Sequence, residues 1–276
     1  MIDARTGCVA IFGNPVNHSL SPQMHNAAFK HLDLNMVYLA FRVIQVTDIA
    51  TAMRTLGLRG ASITVPHKEA IVGHLDEIDE ISQAIGAVNT VSNLEGRLLG
   101  YNTDWLGVVR AFEHVTELEG KCCLVLGSGG AARAAIHGLQ RSGVKVLLMN
   151  RNEVRGRRLA TEMNCTFSHW QSWTALEADL VINATPVGMS PHIDRSVVPP
   201  QWFRPGMVVM DMVYRPQKTR FLRDAEAAGC AGISGLEMLL YQGAAQLEIW
   251  TGREAPVKIM RRALMDAFGN EANQNS

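Results

Sequence analysis

The stretch Leu124-Val125-Leu126-Gly127-Ser128-Gly129-Gly130-Ala131-Ala132-Arg133-Ala134-Ala135 decides the reading of the fold. The apolar run from Cys122 to Leu126 reads as a strand, and the alanine-rich segment after the glycines reads as a helix. The turn between them fits G-x-G-x-x-A. In that pattern the first glycine permits a tight turn and the second lets backbone approach a pyrophosphate. The small third residue keeps helix and sheet close. Free N–H groups and the helix dipole then face the phosphates. A glycine-rich turn alone closes many strand–helix loops for structural reasons. Here a strand precedes it, a helix follows, and a second apolar strand, Lys145 to Asn150, comes next. That context turns the motif into a dinucleotide site.

The end of the second strand bears on which dinucleotide. An acid there would accept from a ribose 2′-hydroxyl. This chain has Asn150-Arg151-Asn152-Glu153-Val154-Arg155 instead. Arg151, and Arg155 one helical turn later, suit a 2′-phosphate; the bland alternative is a solvated basic face. Glu153 opposes the phosphate. A charge-assisted contact contributes about 1.5–3 kcal/mol, and like-charge repulsion across solvent costs about 1 kcal/mol. Two arginines outweigh one glutamate, so the expectation is NADP. Asn183-Ala184-Thr185-Pro186-Val187-Gly188-Met189 closes a later strand and is a candidate neighbour of the nicotinamide, or else a plain loop.

Working outward, short β-branched runs alternate with amphipathic stretches along the whole chain. Strands are expected at Val9–Phe12, Met36–Val43, Ala61–Val65, Cys122–Leu126, Lys145–Asn150, Asp179–Ala184, Met207–Asp211 and Ala231–Ile233. A hairpin is expected from Ala87–Ser92 and Arg97–Asn102 around Asn93-Leu94-Glu95-Gly96. Helices are expected at Pro22–Lys30, at Asp48–Leu56 with Thr47 as N-cap, near Asp76–Ala84, at Trp105–His114, and at Leu236–Trp250 and Pro256–Phe268. The polar end, Asn270–Ser276, is expected to fray. Strand–helix alternation implies parallel βαβ units with right-handed crossovers. The fold class is α/β: an N-terminal α/β domain, residues 1–104, and a Rossmann-type domain, residues 105–237. C-terminal helices, 238–276, return to the first.

Composition narrows the function classes. With 276 residues the chain can bury a sizeable core. Lys plus Arg (26) equals Asp plus Glu (26), so no net field draws it to nucleic acid or anionic lipid. The first residues do not read as a signal peptide, and no apolar run approaches the roughly 18 residues of a membrane span. Five cysteines without a C-x-x-C read as reduced thiols, with Cys122 and Cys123 on opposite faces of a strand. The expected location is the cytoplasm.

The N-terminal half carries several further motifs. They are Gly13-Asn14-Pro15-Val16-Asn17-His18-Ser19-Leu20-Ser21-Pro22-Gln23-Met24-His25-Asn26, Ser62-Ile63-Thr64-Val65-Pro66-His67-Lys68, Gly86-Ala87-Val88-Asn89-Thr90 and Gly100-Tyr101-Asn102-Thr103-Asp104-Trp105-Leu106-Gly107. With the glycine loop, Asn150-Arg151 and Tyr241-Gln242-Gly243-Ala244-Ala245, this ordered set resembles the shikimate dehydrogenase family nearly end to end. The resemblance implies reversible, NADPH-dependent reduction of 3-dehydroshikimate to shikimate, in aromatic amino-acid biosynthesis. It implies Lys68 and Asp104 as the catalytic pair, and substrate contacts from Ser19, Ser21, Thr64, Lys68, Asn89, Asp104 and Gln242. For the cofactor it implies Gly127, Ser128, Gly129, Gly130, Ala131, Asn150, Arg151, Arg155, Thr185, Met212 and Gly235. Many members have Asn where Ser62 stands and Thr where Asn152 stands.

The chemistry of these residues agrees. A polyol acid calls for donors and acceptors rather than an apolar pocket. Ser19 and Ser21, two apart, would share a face in extended backbone and converge on a carboxylate; the bland alternative is an ST-turn before the helix. Hydride delivery to a ketone leaves negative charge on oxygen, which a protonated lysine can neutralise and protonate. Asp104 would hold that ammonium and bond the neighbouring hydroxyl. From spacing alone, Lys68 is equally a solvated lysine and Asp104 a helix N-cap. His18, His25 and His67 lack partners at ligand spacing, so no metal is expected. The partner is a small-molecule substrate, with the protein a monomer or homodimer. An NAD-using quinate/shikimate dehydrogenase and a non-catalytic metabolite sensor are the alternatives. A sensor would be expected to lose Lys68 or Asp104.

Overall fold

A computed structural model describes residues 2–170 and 177–274. The chain divides into two compact units, Met1–Thr103 with Leu240–Ser276, and Asp104–Leu239.

The first unit contains β1 (Gly7–Gly13), α1 (Ser21–His31), β2 (Met36–Arg42), α2 (Val46–Thr55), β3 (Gly60–Ile63), β4 (Glu77–Ile78), α3 (Glu80–Ile85), β5 (Thr90–Leu94) and β6 (Arg97–Tyr101). The sheet order is β2-β1-β3-β5-β6-β4. β1 runs parallel to β2 and β3, while β5 runs antiparallel to β3 and β6. Ala10, Phe12, Ile49, Met53, Ile63, Val88 and Leu98 form its core. The Glu95-Gly96 turn has positive φ at both residues, 52° and 92°, as a two-residue hairpin loop requires.

The second unit contains α4 (Asp104–Glu113), β7 (Cys122–Leu126), α5 (Gly130–Arg141), β8 (Lys145–Met149), α6 (Glu153–Glu162), β9 (Thr166–Ser168), β10 (Leu180–Asn183), β11 (Val208–Asp211), α7 (Arg220–Ala227) and β12 (Ala231–Ser234). Its sheet, ordered β12-β11-β10-β7-β8-β9, is parallel throughout. The order reverses at β7, so the loop after β7 sits at the switch point where such sheets bind ligands. The chain returns through α8 (Gly235–Thr251) and ends in α9 (Val257–Gln274). Near the end of α8, Trp250 donates its indole N–H to the Val91 carbonyl at 3.0 Å. No helix among the described residues is long and apolar enough to cross a membrane.

Several local expectations are corrected. Gln45, not Thr47, is the N-cap of α2, because the helix begins two residues earlier than Asp48, at Val46. Asp76–Ala84 is not one helix. Asp76 accepts from Leu98 N–H at 2.7 Å, Glu77–Ile78 pairs with β6, and Asp79 caps α3 through Ser82 N–H at 2.9 Å. The tail is helical to Gln274 rather than frayed from Asn270, and 275–276 lie outside the described residues. β9 went unforeseen, being three residues without a clear alternation.

Candidate active site

In the second unit, the residues read from the sequence as cofactor ligands cluster at the carboxyl edge of the parallel sheet. Gly127 N–H donates to the Met149 carbonyl at 2.9 Å, tying the ends of β7 and β8. Its φ of +115° suits glycine, and an added Cβ would lie 3.0 Å from the Ala184 carbonyl oxygen. Gly129 is the N-cap of α5, with no side-chain capping bond. An added Cβ there would meet no protein atom within 4 Å. The space above this backbone is therefore open to a phosphate group, as a dinucleotide needs. Gly235 packs its backbone on the end of β11, where a Cβ would lie 2.7 Å from the Met212 carbonyl oxygen.

After β8, Asn150 donates through Nδ2 to the Asn152 carbonyl at 2.7 Å. Asn152 caps α6 by accepting Arg155 N–H at 3.0 Å, so its side chain serves the helix. Arg151 and Arg155 are exposed. The Glu153 carboxylate lies 2.6 Å from Arg157 and 3.2 Å from His169. The hydrogen bond from Arg157 is the largest cause holding its pKa below the ordinary value.

Beneath the Thr185 loop lies a network that sequence reasoning missed. Thr185 donates from N and Oγ1 to Asn183 Oδ1, at 3.0 and 2.6 Å. Asn183 Nδ2 donates to Asp211 Oδ1 at 2.9 Å. Asp211 also accepts from Val213 N–H at 3.0 Å and from the Thr219 hydroxyl at 2.6 Å. Burial pushes this carboxyl up to about 7 against those donors. The available signal was an acid closing the apolar strand Val208-Val209-Met210-Asp211.

In the first unit, Lys68 sits in a turn held from three sides. His67 N–H donates to the Thr64 carbonyl at 2.9 Å, and Val88 N–H donates to the Lys68 carbonyl at 2.8 Å. The His67 ring bonds the Val43 carbonyl through Nε2 at 2.8 Å, a structural use of that histidine. Thr64 N–H bonds the Phe12 carbonyl at 2.9 Å, fixing the end of β3 beside β1. Asn89, buried, accepts Thr103 N–H through Oδ1 at 2.8 Å and donates through Nδ2 to Gln242 Oε1 at 3.2 Å. Asp104, also buried, directly follows Thr103 in the chain, opens the second unit and is the first residue of α4 rather than the cap before it.

The shared face expected for Ser19 and Ser21 is overturned. Leu20 has helical backbone angles and Ser21 opens α1. Ser21 N–H donates to Ser19 Oγ at 3.2 Å, the ST-turn arrangement. The two hydroxyls are therefore not alternate residues of a strand.

A family model described as the shikimate dehydrogenase substrate binding domain matches residues 11–91. One for shikimate/quinate 5-dehydrogenase matches 110–200, and one for the shikimate 5′-dehydrogenase C-terminal domain matches 235–265. A Moorella thermoacetica protein named shikimate dehydrogenase (NADP(+)) is 47% identical over 97% of this chain and 96% of its own length. The chain belongs to the shikimate dehydrogenase family. A crystal structure of a shikimate dehydrogenase with NADP+ superposes with a TM-score of 0.92 at 39% identity, covering 97% of this chain and 98% of that one. The Thermus thermophilus enzyme with NADP(H) and shikimate gives 0.89 at 38%, covering 95% and 99%.

Within this shikimate dehydrogenase fold, direct hydrogen bonds join Asn89 to Gln242 and the Lys68 backbone to Val88, next to Asn89. Gly127, Thr185, Met212 and Gly235 gather around the ends of β7, β10 and β11. Behind Asn89 lie Tyr38, Ser62, Thr90, Thr103 and Gln246, all buried and none anticipated as a group. Nothing in their spacing announces them, because they come from five separate segments.

Proposed function

We propose that this protein catalyses the reversible NADPH-dependent reduction of 3-dehydroshikimate to shikimate, through Lys68 and Asp104. The observation that carries the reading is the bond from Val88 N–H to the Lys68 carbonyl, 2.8 Å, which ties the lysine turn to the Asn89–Gln242 amide pair. A cation and a polar, buried amide pair are what a ketone-bearing polyol acid requires.

In this reading Gly127, Ser128, Gly129, Gly130 and Ala131 hold the pyrophosphate of NADPH. Asn150, Arg151 and Arg155 meet the adenosine end, and Thr185, Met212 and Gly235 border the nicotinamide. NADPH, when bound, supplies the hydride. Lys68 places its ammonium at the ketone oxygen, neutralises the charge that develops there and donates the proton that completes the alcohol. Asp104 accepts from the adjacent substrate hydroxyl. Thr64, Asn89 and Gln242 bind the remaining hydroxyls, and Ser19 and Ser21 bind the carboxylate from the turn that enters α1. In the reverse direction neutral Lys68 takes the hydroxyl proton as hydride leaves.

The test is a matrix of kcat/KM for shikimate and quinate, each with NADP and with NAD. The largest value is expected for shikimate with NADP. A preference for quinate or for NAD would replace this reading with that of a quinate/shikimate dehydrogenase. Cofactor binding without turnover would replace it with that of a metabolite sensor.

A further inference from the structure

Two backbone groups settle the direction of the hydrogen bonds that link Tyr38, Ser62, Gln246, Thr90, Asn89 and Gln242. Thr103 N–H can only donate, so the Asn89 atom 2.8 Å from it is the oxygen Oδ1. Asn89 Nδ2 is then the donor to Gln242, and the Gln242 atom facing it at 3.2 Å is Oε1. On the other side, the Asn89 carbonyl can only accept, so the Gln246 atom 3.1 Å from it is Nε2. That amide nitrogen also donates to Thr90 Oγ1 at 3.0 Å, and the Thr90 hydrogen therefore goes to Asn89 Oδ1 at 2.7 Å. Gln246 Oε1 accepts from Ser62 at 2.8 Å, which leaves Ser62 Oγ to accept from the Tyr38 hydroxyl at 2.6 Å. One directed chain runs from Tyr38 through Ser62, Gln246, Thr90 and Asn89 to Gln242. All six residues are buried.

We propose that Gln246 is a positioning residue for substrate recognition: together with the Thr103 N–H it holds Asn89, by its own bond to the Asn89 carbonyl and through the Thr90 hydroxyl, so that Gln242 keeps Oε1 toward Asn89 and turns its NH2 edge away to meet acceptor oxygens of the substrate. The inference rests on the reading above that Asn89 and Gln242 contact substrate. A flip of either amide would set donor against donor in a buried place, which the chain forbids. His25 stacks on Tyr38 at 4.5 Å. Burial holds its pKa down at about 3, so it stays neutral beside the chain. The consequence is selectivity for ligands that present lone pairs, such as a carboxylate or a hydroxyl oxygen, at the Gln242 position.

The experiment is a double-mutant cycle on the full-length protein, with shikimate and NADP varied separately. Gln246→Leu keeps the bulk and removes both the donor and the acceptor. Its shikimate KM is expected to rise on the order of 10-fold, the equivalent of one buried hydrogen bond, with the NADP KM unchanged. In a Gln242→Ala background the same substitution is expected to add little, because Gln246 acts through Gln242. Full additivity in the cycle, or an unchanged shikimate KM for Gln246→Leu, overturns the positioning role. If Gln242→Ala itself leaves the shikimate KM unchanged, the substrate-contact reading falls and the proposal with it. Should Gln246→Leu not fold, Thr90→Val removes only the relaying hydroxyl, and the same outcomes decide.

Discussion

The Glu153 carboxylate and the Arg157 guanidinium form an ion pair at 2.6 Å, one turn apart on α6. With His169 at 3.2 Å, the glutamate has two partners before any ligand arrives. Arg151 has no ion-pair partner among the described residues. The sequence contest at this corner, two arginines against one acid, is therefore weighted further toward a phosphate. Arg151→Ala is expected to raise the NADP KM on the order of 10–100-fold, the equivalent of one charged hydrogen bond, and to leave the NAD KM nearly unchanged. Glu153→Gln should barely alter the NADP/NAD ratio. Steady-state kinetics with both cofactors check this; equal losses for both on Arg151→Ala would remove the phosphate assignment.

Lys68 and Asp104 are expected to act on the chemical step. Lys68→Ala and Asp104→Asn should each lower kcat by about 10²–10⁴, the range of a lost proton donor or its partner, with unchanged circular dichroism. A Lys68→Ala protein with near-normal turnover would end the assigned role.

Gly127 and Gly129 should respond differently to alanine. Gly127 has φ of +115° with a backbone oxygen 3.0 Å from the added Cβ, so Gly127→Ala should destabilise the fold by roughly 1–3 kcal/mol. Gly129 has no such obstacle within the protein. Gly129→Ala should keep its Tm and lose NADP affinity, because the methyl group enters space left for the pyrophosphate. Thermal melts with and without NADP separate the two. A Gly129→Ala protein that binds NADP normally would contradict the cradle.

Asp211 and His25 give opposite pH dependences of stability. Asp211, raised from 3.8 to about 7 chiefly by burial, keeps a proton in the folded state where the unfolded chain has lost it. Its contribution therefore falls as pH rises through that window. His25, lowered from 6.5 to about 3 by burial, is neutral when folded where the unfolded residue is charged, so its contribution is lost as pH falls through that window. Asp211→Asn retains an oxygen for Asn183 and Val213 and removes the first effect. Its Tm should climb more steeply between about pH 4 and 7 than that of the wild type. Parallel curves would argue against a raised Asp211 pKa.

Much of the architecture was legible because it is written in local pattern. The G-x-G-x-x-A turn between Leu126 and Ala132, the strand of Lys145–Met149 and the Glu95-Gly96 hairpin each depend on backbone constraints that a few neighbouring residues satisfy. The errors fell where local pattern and tertiary context disagree. Thr47 looked like a cap, yet the helix starts before it, and Glu77–Ile78 joined a sheet because β6 offered an edge. Ser19 and Ser21 looked like alternating strand residues, but the turn into α1 takes Leu20 out of extended backbone.

By itself, the sequence determined the α/β class, the dinucleotide loop and the identity of the candidate groups, since these follow from residue type and short spacing. Only the tertiary structure decided which way the amides face. Asn89 and Gln242 stand 153 positions apart, and Gln246 is 184 from Ser62. Their hydrogen bonds exist only after α8 returns to the first sheet. Burial of Asp211, which moves its proton affinity, likewise comes from packing rather than from its neighbours in the chain. Short-range sterics act along the chain, whereas desolvation and hydrogen-bond direction depend on what folding brings across it.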